Sequence, residues 1–462
     1  MKKKQILDGV IDHIDFPNKG RVITPEGIVT VKNGIPGQRV RFVINKCRHG
    51  SYEGRLLEVL KKSPLETEEA ACGEFPYCGG CMYQTMPYQA QLDMKAGQVK
   101  ALIDGTIRDS GSAGAASLDY TFEGIRPSPQ RWEYRNKMEF SFGDAVKGGP
   151  LTLGLHKKGS NYDILTADDC RLVHPDMTRI LRCVLDYFTE NPEDYYRTMQ
   201  HTGYLRYLLL RRSASSGDLL VHLVTTSQSD PDLSPLVKRL LDLELSGQIA
   251  GIMHIINDSL ADVVQSDETR ILYGQDYFYE TVLGLKFKVS SFSFFQTNTR
   301  GAEVLYETAR SFIGDTKDMT VYDLYSGTGT IAQMLASSAR RVIGVEIVEE
   351  AVEAARVNAR LNDLDNCEFI AGDVLAVLDQ IEEKPDFIVL DPPRDGINPK
   401  ALRKIISYGV PRLVYISCKP TSLARDLGMM MEAGYRLEKL CCVDMFPNTV
   451  HTESVCLLSR IK

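Results

Sequence analysis

One cysteine of the sequence lies where it could act as a nucleophile. Residues 413–417 form the run Leu-Val-Tyr-Ile-Ser, and Cys418, Lys419 and Pro420 follow it directly. A buried strand that stops at this point would hold Cys418 at its carboxyl end, and open α/β sheets bind ligands outside those ends. Unpaired cysteines also serve as buried packing residues, so a catalytic role depends on which groups accompany Cys418.

Acidic residues accompany four other predicted strands in the same part of the chain. The strands are predicted over residues 319–325, 341–346, 367–371 and 385–390, with helical stretches between them. Asp323 and Glu346 lie at the ends of the first two strands, whereas Asp373 and Asp391 follow the other two. Because a strand-helix-strand order predicts a parallel doubly wound sheet, we expect these carboxylates and Cys418 at one edge, around a ligand crevice.

A glycine-rich turn after the first of these strands indicates a nucleoside-containing ligand. Residues 325–330 read Tyr-Ser-Gly-Thr-Gly-Thr and precede a predicted helix. The turn also fits the loose dinucleotide pattern, with Glu346 placed to bind a ribose hydroxyl, so NAD is one interpretation. S-adenosylmethionine needs the same turn and carboxylate, and also a substrate pocket beside its sulfonium, which Asp391 and Cys418 would line. The acidic corner at residues 391–394, Asp-Pro-Pro-Arg, favours the methyl donor because hydride transfer does not require it.

These groups suit methyl transfer to carbon 5 of uracil. That carbon is a poor nucleophile, but addition of a thiolate at carbon 6 converts the ring into an enolate whose carbon 5 can attack a methyl sulfonium. A base must then remove the carbon 5 proton so that the thiolate is expelled. Glu453, in the run His451-Thr-Glu453 before a last predicted strand, is the candidate base. An exposed carboxylate at a strand end would have the same pattern.

A second group of residues could bind a metal centre. Cys72, Cys78 and Cys81 lie within ten residues, with two glycines between the last pair, and Cys170 follows later in the chain. Thiolates select zinc or an iron–sulfur cluster, and this spacing does not distinguish the two. Cys170 is the candidate fourth ligand, with Cys183 as its competitor.

The amino-terminal residues predict a small basic β-barrel. Short strands are expected over residues 9–14, 21–23, 28–31, 39–44 and 55–59, with turn signals between them. Residues 1–62 contain 13 Lys and Arg against six Asp and Glu, whereas the whole chain has a formal net charge of -7. A basic barrel on an acidic body suggests an oligonucleotide-binding module, although a solvated lysine-rich terminus would look similar.

The middle of the chain shows no catalytic motif. A helix is predicted over residues 88–107 and a flexible linker over 109–117. Strand-like runs are expected over residues 204–210, 219–225 and 249–256. Residues 131–142 alternate cations with aromatic side chains, a pattern that suits either single-stranded RNA binding or a half-buried strand.

Length and composition describe a soluble protein of two or three domains. The 462 residues include 43% hydrophobic and 25% charged residues, enough for a large core. The eleven cysteines are odd in number and unevenly spaced, which favours thiol or metal chemistry in a reducing cytoplasm. Asp8, Asp12 and Asp15 interrupt what would be the apolar part of a signal peptide, and no apolar run reaches membrane-spanning length. We expect a cytoplasmic monomer that binds no membrane.

Together these motifs resemble the RNA uracil-5 methyltransferase family, and most closely its rRNA branch, which carries a TRAM domain and an iron–sulfur centre. The resemblance covers nearly the whole chain and is specific as a combination. It rests on Gly34-Ile-Pro-Gly-Gln, the four cysteines, Phe294-Phe-Gln296-Thr-Asn298, Asp323-Leu-Tyr-Ser-Gly-Thr-Gly, Asp391-Pro-Pro-Arg, Ser417-Cys418-Lys-Pro and His451-Thr-Glu453. Two departures are Ser326, where many relatives have cysteine, and an apparent insertion at residues 110–117.

The resemblance implies S-adenosylmethionine-dependent methylation of carbon 5 of a uridine in 23S rRNA. Cys418 would be the nucleophile and Glu453 the base. Residues expected at the methyl-donor site are Gln296, Asp323, Tyr325, Gly327, Gly329, Thr330, Glu346, Asp373 and Asp391. A [4Fe-4S] cluster that supports RNA binding without taking part in catalysis would be held by Cys72, Cys78, Cys81 and Cys170.

The implied fold is α/β, a Rossmann-like methyltransferase sheet with a small TRAM- or OB-like barrel and a central α+β iron–sulfur RNA-binding domain. We expect the barrel over residues 1–62, the central domain over 63–290 and the catalytic domain over 291–462, with residues 86–124 packed on the catalytic domain. A tRNA uracil-5 methyltransferase is the main alternative. Other possible functions are a cytosine-5 or an amino-group methyltransferase, an iron–sulfur oxidoreductase using NAD, and a catalytically silent RNA-binding scaffold.

Overall fold

The computed structural model describes residues 1–48, 50–110, 118–261 and 265–461. In these ranges the strands form a closed barrel, a seven-strand sheet, a two-strand hairpin and an eight-strand sheet, in that order along most of the chain. No helix within the described ranges is both long and apolar enough to cross a membrane.

The amino-terminal residues form the predicted barrel, and each of its five strands is longer than expected. The strands are β1 (Ile6–Asp15), β2 (Lys19–Thr24), β3 (Gly27–Lys32), β4 (Arg39–Arg48) and β5 (Ser51–Lys61). They close in the order β1-β2-β3-β5-β4. Along β4, Val40, Phe42 and Ile44 are buried inside the barrel, whereas Arg39 and Arg41 face outward. This period-two alternation is why the sequence forms a barrel with a basic exterior.

A long helix, a strand that joins the eight-strand sheet, and a mixed sheet follow the barrel. Their elements are α1 (Tyr88–Asp109), β6 (Thr121–Arg126), β7 (Lys137–Asp144), β8 (Leu151–His156), β9 (Ile164–Thr166), α2 (Pro175–Glu190), β10 (Leu205–Arg212), β11 (Leu219–Thr225), α3 (Ser234–Leu241), β12 (Ile249–Ile256) and β13 (Glu268–Gly274). The seven strands from β7 to β13 form one sheet in the order β13-β12-β11-β10-β7-β8-β9. The hairpin of β14 (Tyr277–Val282) and β15 (Leu285–Ser290) leads out of it. The three strand-like runs predicted for this region are confirmed as β10, β11 and β12.

For residues 131–142 the structure favours the half-buried strand over the RNA-binding surface. Residues 137–142 belong to β7, where Phe140 and Phe142 are buried in the core beside α2, and Tyr134 ahead of the strand is also buried. These aromatic rings are therefore packing residues that RNA bases cannot stack on. Arg131 likewise forms an ion pair with Glu68 at 2.7 Å.

The carboxyl-terminal part forms the predicted strand-helix-strand series. Its elements are α4 (Thr299–Ile313), β16 (Thr320–Leu324), α5 (Thr330–Ala336), β17 (Arg341–Glu346), α6 (Glu349–Leu361), β18 (Cys367–Ala371), α7 (Val374–Val377), β19 (Phe387–Leu390), α8 (Pro399–Ser407), β20 (Arg412–Ser417), α9 (Pro420–Glu432), β21 (Tyr435–Val443) and β22 (Glu453–Arg460). The sheet order is β18-β17-β16-β19-β20-β22-β21-β6. The first five strands are parallel and covered on both faces by separate apolar cores, which explains their nearly continuous apolar sequences.

The five strands predicted to be parallel are confirmed, whereas the last strand of the sheet runs the other way. β22 runs antiparallel to both β20 and β21. Residues 444–452, which join β21 to β22, form a link without a helix, and a link of this length joins antiparallel neighbours because a parallel pair needs a longer crossover.

α1 and β6, which precede the seven-strand sheet in the chain, belong with the eight-strand sheet. Val99, Ile103 and Ile107 of α1 pack in the core between the eight-strand sheet and its outer helices, and β6 pairs with β21 as the edge strand. Lys95 of α1 forms a fully buried ion pair with Asp444, with Nζ 2.7 Å from Oδ1. Removing one partner of such a pair is strongly destabilising, so α1 is a structural part of this sheet. Residues 111–117 of the predicted linker lie outside the described residues.

Candidate active site

One large cavity lies at the carboxyl ends of the parallel strands. Its volume is about 1460 Å³, and it opens between the eight-strand sheet, the segment before α4 and the cysteine-bearing segment at residues 79–82. Nine of the eleven residues selected from the sequence for catalysis or for the methyl donor line it: Gln296, Tyr325, Gly327, Thr330, Glu346, Asp373, Asp391, Cys418 and Glu453. Asp323 and Gly329, which were also selected, do not.

The glycine turn between β16 and α5 is held in a left-handed conformation. Tyr325, Gly327 and Gly329 have φ values of 69°, 52° and 75°. A Cβ on Gly329 would lie 2.6 Å from the Phe369 ring, so this glycine permits close packing behind the turn. Gly329 therefore shapes the turn, whereas Gly327 lines the cavity.

Asp323 supports the turn from inside the sheet. It is fully buried, and its Oδ2 accepts a hydrogen bond of 2.9 Å from the Ala332 amide near the start of α5. Burial, followed by the charge of Asp391, raises the pKa of the Asp323 carboxyl to about 8. Asp323 therefore fixes the position of α5 beneath the cavity, although the sequence pattern had suggested a contact to the ligand.

Two further carboxylates are held at the rim by backbone amides. Glu346 accepts hydrogen bonds from the amides of Gly327 and Val348, both at 3.0 Å. Asp373 caps α7 by accepting from the Leu375 amide at 2.9 Å. Both side chains still line the cavity, and fixed carboxylates of this kind can accept hydrogen bonds from ribose hydroxyls.

Cys418 and Glu453 are brought together by strand pairing. In the antiparallel pair of β20 and β22, Ser417 lies opposite Ser454. The next residue along each strand in the direction of the cavity is Cys418 on one side and Glu453 on the other. Asp391 follows β19, the neighbour of β20 on its other side. A thiol and two carboxyl groups thus converge at one end of the cavity.

The pKa of each of these three groups is raised in the folded protein. Burial raises the pKa of Asp391 to about 7. Burial and then the charge of Asp391 raise the pKa of Glu453 to about 8. The Cys418 pKa is raised to about 11 by burial and by the two carboxylates, with Arg394 acting in the opposite direction. Strongly shifted acids in a cavity mark candidate catalytic groups.

Several residues that line the cavity were not selected from the sequence. They are His451 and Arg394, which belong to recognised motifs, the basic residues Arg135 and Lys158, and the exposed aromatic residues Phe292 and Phe294. The alternation Ser-Phe-Ser-Phe at residues 291–294 is a signal that could have identified the last two. Burial lowers the pKa of His451 to about 4, so this imidazole is neutral near pH 7.

The four selected cysteines line a second, smaller cavity beside Phe75 and Leu172. Cys183 is not among its lining residues and instead contacts the core around α2. Burial raises the pKa of Cys81 to about 12 and that of Cys170 to about 11. Within the part of the chain that the structure describes, no three His, Cys, Asp or Glu residues are arranged to hold a metal ion.

Comparison with known proteins identifies the family. The family model described as tRNA (Uracil-5-)-methyltransferase matches residues 221–461. An uncharacterised RNA methyltransferase of Clostridium tetani is 47% identical over 462 residues, covering 100% of this chain and 99% of its own. The chain belongs to the tRNA (uracil-5-)-methyltransferase family.

Two more distant relatives also match nearly the whole chain. An uncharacterised RNA methyltransferase of Halalkalibacterium halodurans is 33% identical over 461 residues, covering 99% of this chain and 98% of its own. The Pyrococcus abyssi tRNA (uracil-54, C5)-methyltransferase, solved with S-adenosyl-L-homocysteine, superimposes with a TM-score of 0.75 at 23% identity, covering 98% of this chain and 99% of that one. The likeness to this structure shows that the α/β methyltransferase fold and the amino-terminal barrel are shared.

The raised pKa of Glu453 predicts a pH-dependent stability. Its ordinary value is 4.5, and the folded value is about 8. Both folded and unfolded states hold the proton below the lower value, so the stability from this group is complete there and is lost as the pH rises through about 8. Glu453→Gln removes this loss. In thermal unfolding followed by circular dichroism, we expect the melting temperature of the variant relative to wild type to increase from acidic to alkaline pH.

Glu432→Gln is the matched control, because Glu432 is an exposed carboxylate at the end of α9. Its difference from wild type should stay constant across the same pH range. A constant difference for Glu453→Gln as well would contradict the buried, raised-pKa state of Glu453.

Proposed function

We propose that this protein methylates carbon 5 of a uridine in RNA with S-adenosylmethionine as the methyl donor. The observation that carries the proposal is the convergence of Cys418 and Glu453 on one cavity, at the ends of two paired strands. Family membership supports RNA uracil as the substrate and favours methyl transfer over the NAD-dependent alternative. The barrel, with its outward-facing arginines, would act as a TRAM-like RNA-binding module.

The reaction follows from the chemistry of the two groups. The Cys418 thiolate adds to carbon 6 of the uracil, and carbon 5 of the resulting enolate attacks the methyl group of the donor, so that the carbon–sulfur bond breaks and S-adenosylhomocysteine leaves. Glu453 then takes the proton from carbon 5, and the electrons of that bond re-form the double bond between carbons 5 and 6 and expel the thiolate. A base with a pKa near the working pH suits this step, and the value of about 8 for Glu453 meets this requirement.

The opposite end of the cavity suits the methyl donor. Bound S-adenosylmethionine would supply an electrophilic methyl group. We assign Glu346 and Asp373 to its hydroxyl and amino groups, since both carboxylates are fixed by backbone amides at the rim. The other residues of this proposed site are Gln296, Tyr325, Gly327, Thr330 and Asp391, all at the cavity surface.

The target base would enter the cavity from the RNA in a flipped-out position. Enzymes that react at a base within a structured nucleic acid extrude it into a pocket and stack it on apolar side chains. The exposed rings of Phe292 and Phe294 and the cations of Arg135 and Lys158 lie at the cavity and suit this role. They replace the buried aromatics of residues 134–142 as candidates for base stacking.

We further propose that the four cysteines hold a [4Fe-4S] cluster. Their enclosed arrangement around one small cavity supports four thiolate ligands. Four cysteine thiolates are the ligand set that a [4Fe-4S] cluster takes, and Cys72, Cys78, Cys81 and Cys170 would supply it. The cluster would stabilise the segment of residues 72–82, whose last four residues, 79–82, line the large cavity.

Covalent trapping tests the reaction. Fluorine cannot leave carbon 5 as a proton, so RNA containing 5-fluorouridine should form a stable adduct with the wild-type enzyme and the donor, seen on a denaturing gel. Cys418→Ala should lose the adduct and lower turnover about a thousandfold or more, because nothing else in the reaction activates carbon 5. Cys367→Ala, at the far end of β18, is the matched control that should retain both. Turnover by Cys418→Ala would assign the nucleophile elsewhere.

The RNA substrate is a separate proposal. We propose 23S rRNA because the cysteine set and the barrel together resemble the rRNA branch of the family; the description of the family model instead favours tRNA. Mapping 5-methyluridine in both RNAs from a deletion strain is the test. We expect one or more sites to be lost from 23S rRNA and none from tRNA. Loss from tRNA alone would contradict the rRNA assignment.

Metal analysis tests the cluster. Protein purified without oxygen should be brown and contain about four iron atoms per chain, as four-cysteine cubane ligation requires. Cys170→Ala should lower the iron content and the visible absorbance, whereas Cys183→Ala, a cysteine outside the small cavity, should leave both unchanged. Colourless protein with stoichiometric zinc would contradict the proposal.

A further inference from the structure

The segment between β21 and β22 carries much of the candidate active site. Five residues of this segment and of the start of β22 line the large cavity: Phe446, Thr449, Val450, His451 and Glu453. Asn448 lies among them but faces away from the cavity and is fully buried. Its φ value of 65° is in the left-handed region, where asparagine is among the few tolerated residues other than glycine.

The backbone carbonyl of Asn448 binds the cysteine-bearing segment. It accepts hydrogen bonds from the amides of Met82 at 2.7 Å and Tyr83 at 3.1 Å, directly after Cys81. One carbonyl oxygen thus uses both lone pairs on this segment. The position of the segment after Cys81 is therefore tied to the position of Asn448.

The remaining polar groups of Asn448 bind two other parts of the chain. Its amide and its Oδ1 form reciprocal hydrogen bonds with the side chain of Gln91 in α1, at 2.9 and 3.1 Å. Its Oδ1 also accepts from Arg131 Nε at 3.2 Å, and its Nδ2 donates to the Arg131 carbonyl at 3.3 Å. Every polar group of this buried residue is satisfied, by three segments that are distant in sequence.

Neighbouring residues fix the start of the same segment. Lys95 Nζ donates to Asp444 and to the Phe446 carbonyl, at 2.7 and 3.1 Å. Asn298 Nδ2 donates to the Met445 carbonyl at 2.8 Å. Between these anchors and the beginning of β22, the side chain of Asn448 provides the fixed contact to α1 and to Arg131.

We propose that Asn448 is a positioning residue for the base of the reaction, which it holds in place together with Gln91. The inference rests on the proposed role of Glu453. A general base must lie within hydrogen-bond reach of the proton that it removes, and a displacement of about 1 Å can slow a reaction about a hundredfold. Loss of the Asn448 side chain removes both hydrogen bonds to Arg131 and one of the two to Gln91. The segment before β22 is then held by fewer contacts, and the Glu453 carboxyl is displaced from carbon 5 of the adduct. The carboxylates of Glu346 and Asp373 at the methyl-donor site accept from the amides of residues 327, 348 and 375, so this site should be unaffected.

The test uses the order of the chemical steps. Cys418 addition and methyl transfer precede proton removal, so a displaced base should make the methylated adduct accumulate on RNA with ordinary uridine. Asn448→Gly keeps the left-handed backbone and removes only the side chain. We expect its kcat to fall at least about tenfold, its KM for the donor to stay within about twofold, and the adduct to appear on a denaturing gel. Glu453→Gln, which removes the base, should show the same adduct at a higher level.

Two further variants separate positioning from general destabilisation. Asn448→Asp retains an acceptor for Gln91 and Arg131 and tolerates the left-handed conformation, so it should recover kcat to within about threefold of wild type. Asn366→Gly loses two hydrogen bonds, of 2.8 and 3.0 Å, at the amino end of β18, remote from the cavity. It should lower the melting temperature without adduct accumulation. All assays are made well below the lowest melting temperature.

The outcomes distinguish the two proposals. If wild type forms no 5-methyluridine, or Glu453→Gln accumulates no adduct, the proposed function itself is wrong. If both behave as expected but Asn448→Gly turns over normally, or slows without adduct, the positioning role is overturned. Should Asn448→Gly fail to fold, Gln91→Met removes the partner of Asn448 from the side of α1, and the same adduct is expected. Its absence there would equally overturn the role.

Discussion

The antiparallel pairing of β20 with β22 is the constraint on which the candidate site depends. Ser417 and Ser454 lie opposite each other, so Cys418 and Glu453 leave the two strands side by side. A shift of register by one residue would turn Glu453 to the other face of the sheet. Backbone hydrogen bonds between central strands, rather than flexible loops, therefore set the relation between nucleophile and base.

The burial of carboxyl groups at this site lowers the stability of the folded protein. Asp323, Asp391 and Glu453 lie within or at the edge of a sheet that is buried on both faces, and the pKa of each carboxyl is raised. The charged forms of all three are disfavoured by burial, and those of Asp323 and Glu453 also by the charge of Asp391. Such groups lower stability at neutral and alkaline pH, and their retention is typical of a site in which function opposes stability. The buried Lys95–Asp444 pair and the contacts of Asn448 hold the segment that leads to this site.

Local sequence patterns predicted most of the elements. Alternating burial along β4 identifies a barrel strand, and the apolar run before Cys418 identifies a strand that is covered on both faces. The glycine turn at residues 325–330 and the acidic residues after successive strands predicted which edge of the sheet carries the cavity. Two points needed the structure: Phe140 and Phe142 are core residues, which the alternation could not decide because a half-buried strand and an RNA-binding surface share it, and Asp323 accepts a hydrogen bond from the backbone of α5 and does not line the cavity.

The sequence by itself determined the strands, the turn and the residue types that chemistry at this site requires, because these depend on near neighbours along the chain. Only the tertiary structure decided which distant residues meet. The antiparallel insertion of β22 between β20 and β21 placed Glu453 beside Cys418, and the return of α1 and β6 to the carboxyl-terminal sheet brought Gln91 and Lys95 behind the site. Strand order and helix docking arise from the packing of whole apolar faces, and no short stretch of sequence contains that information.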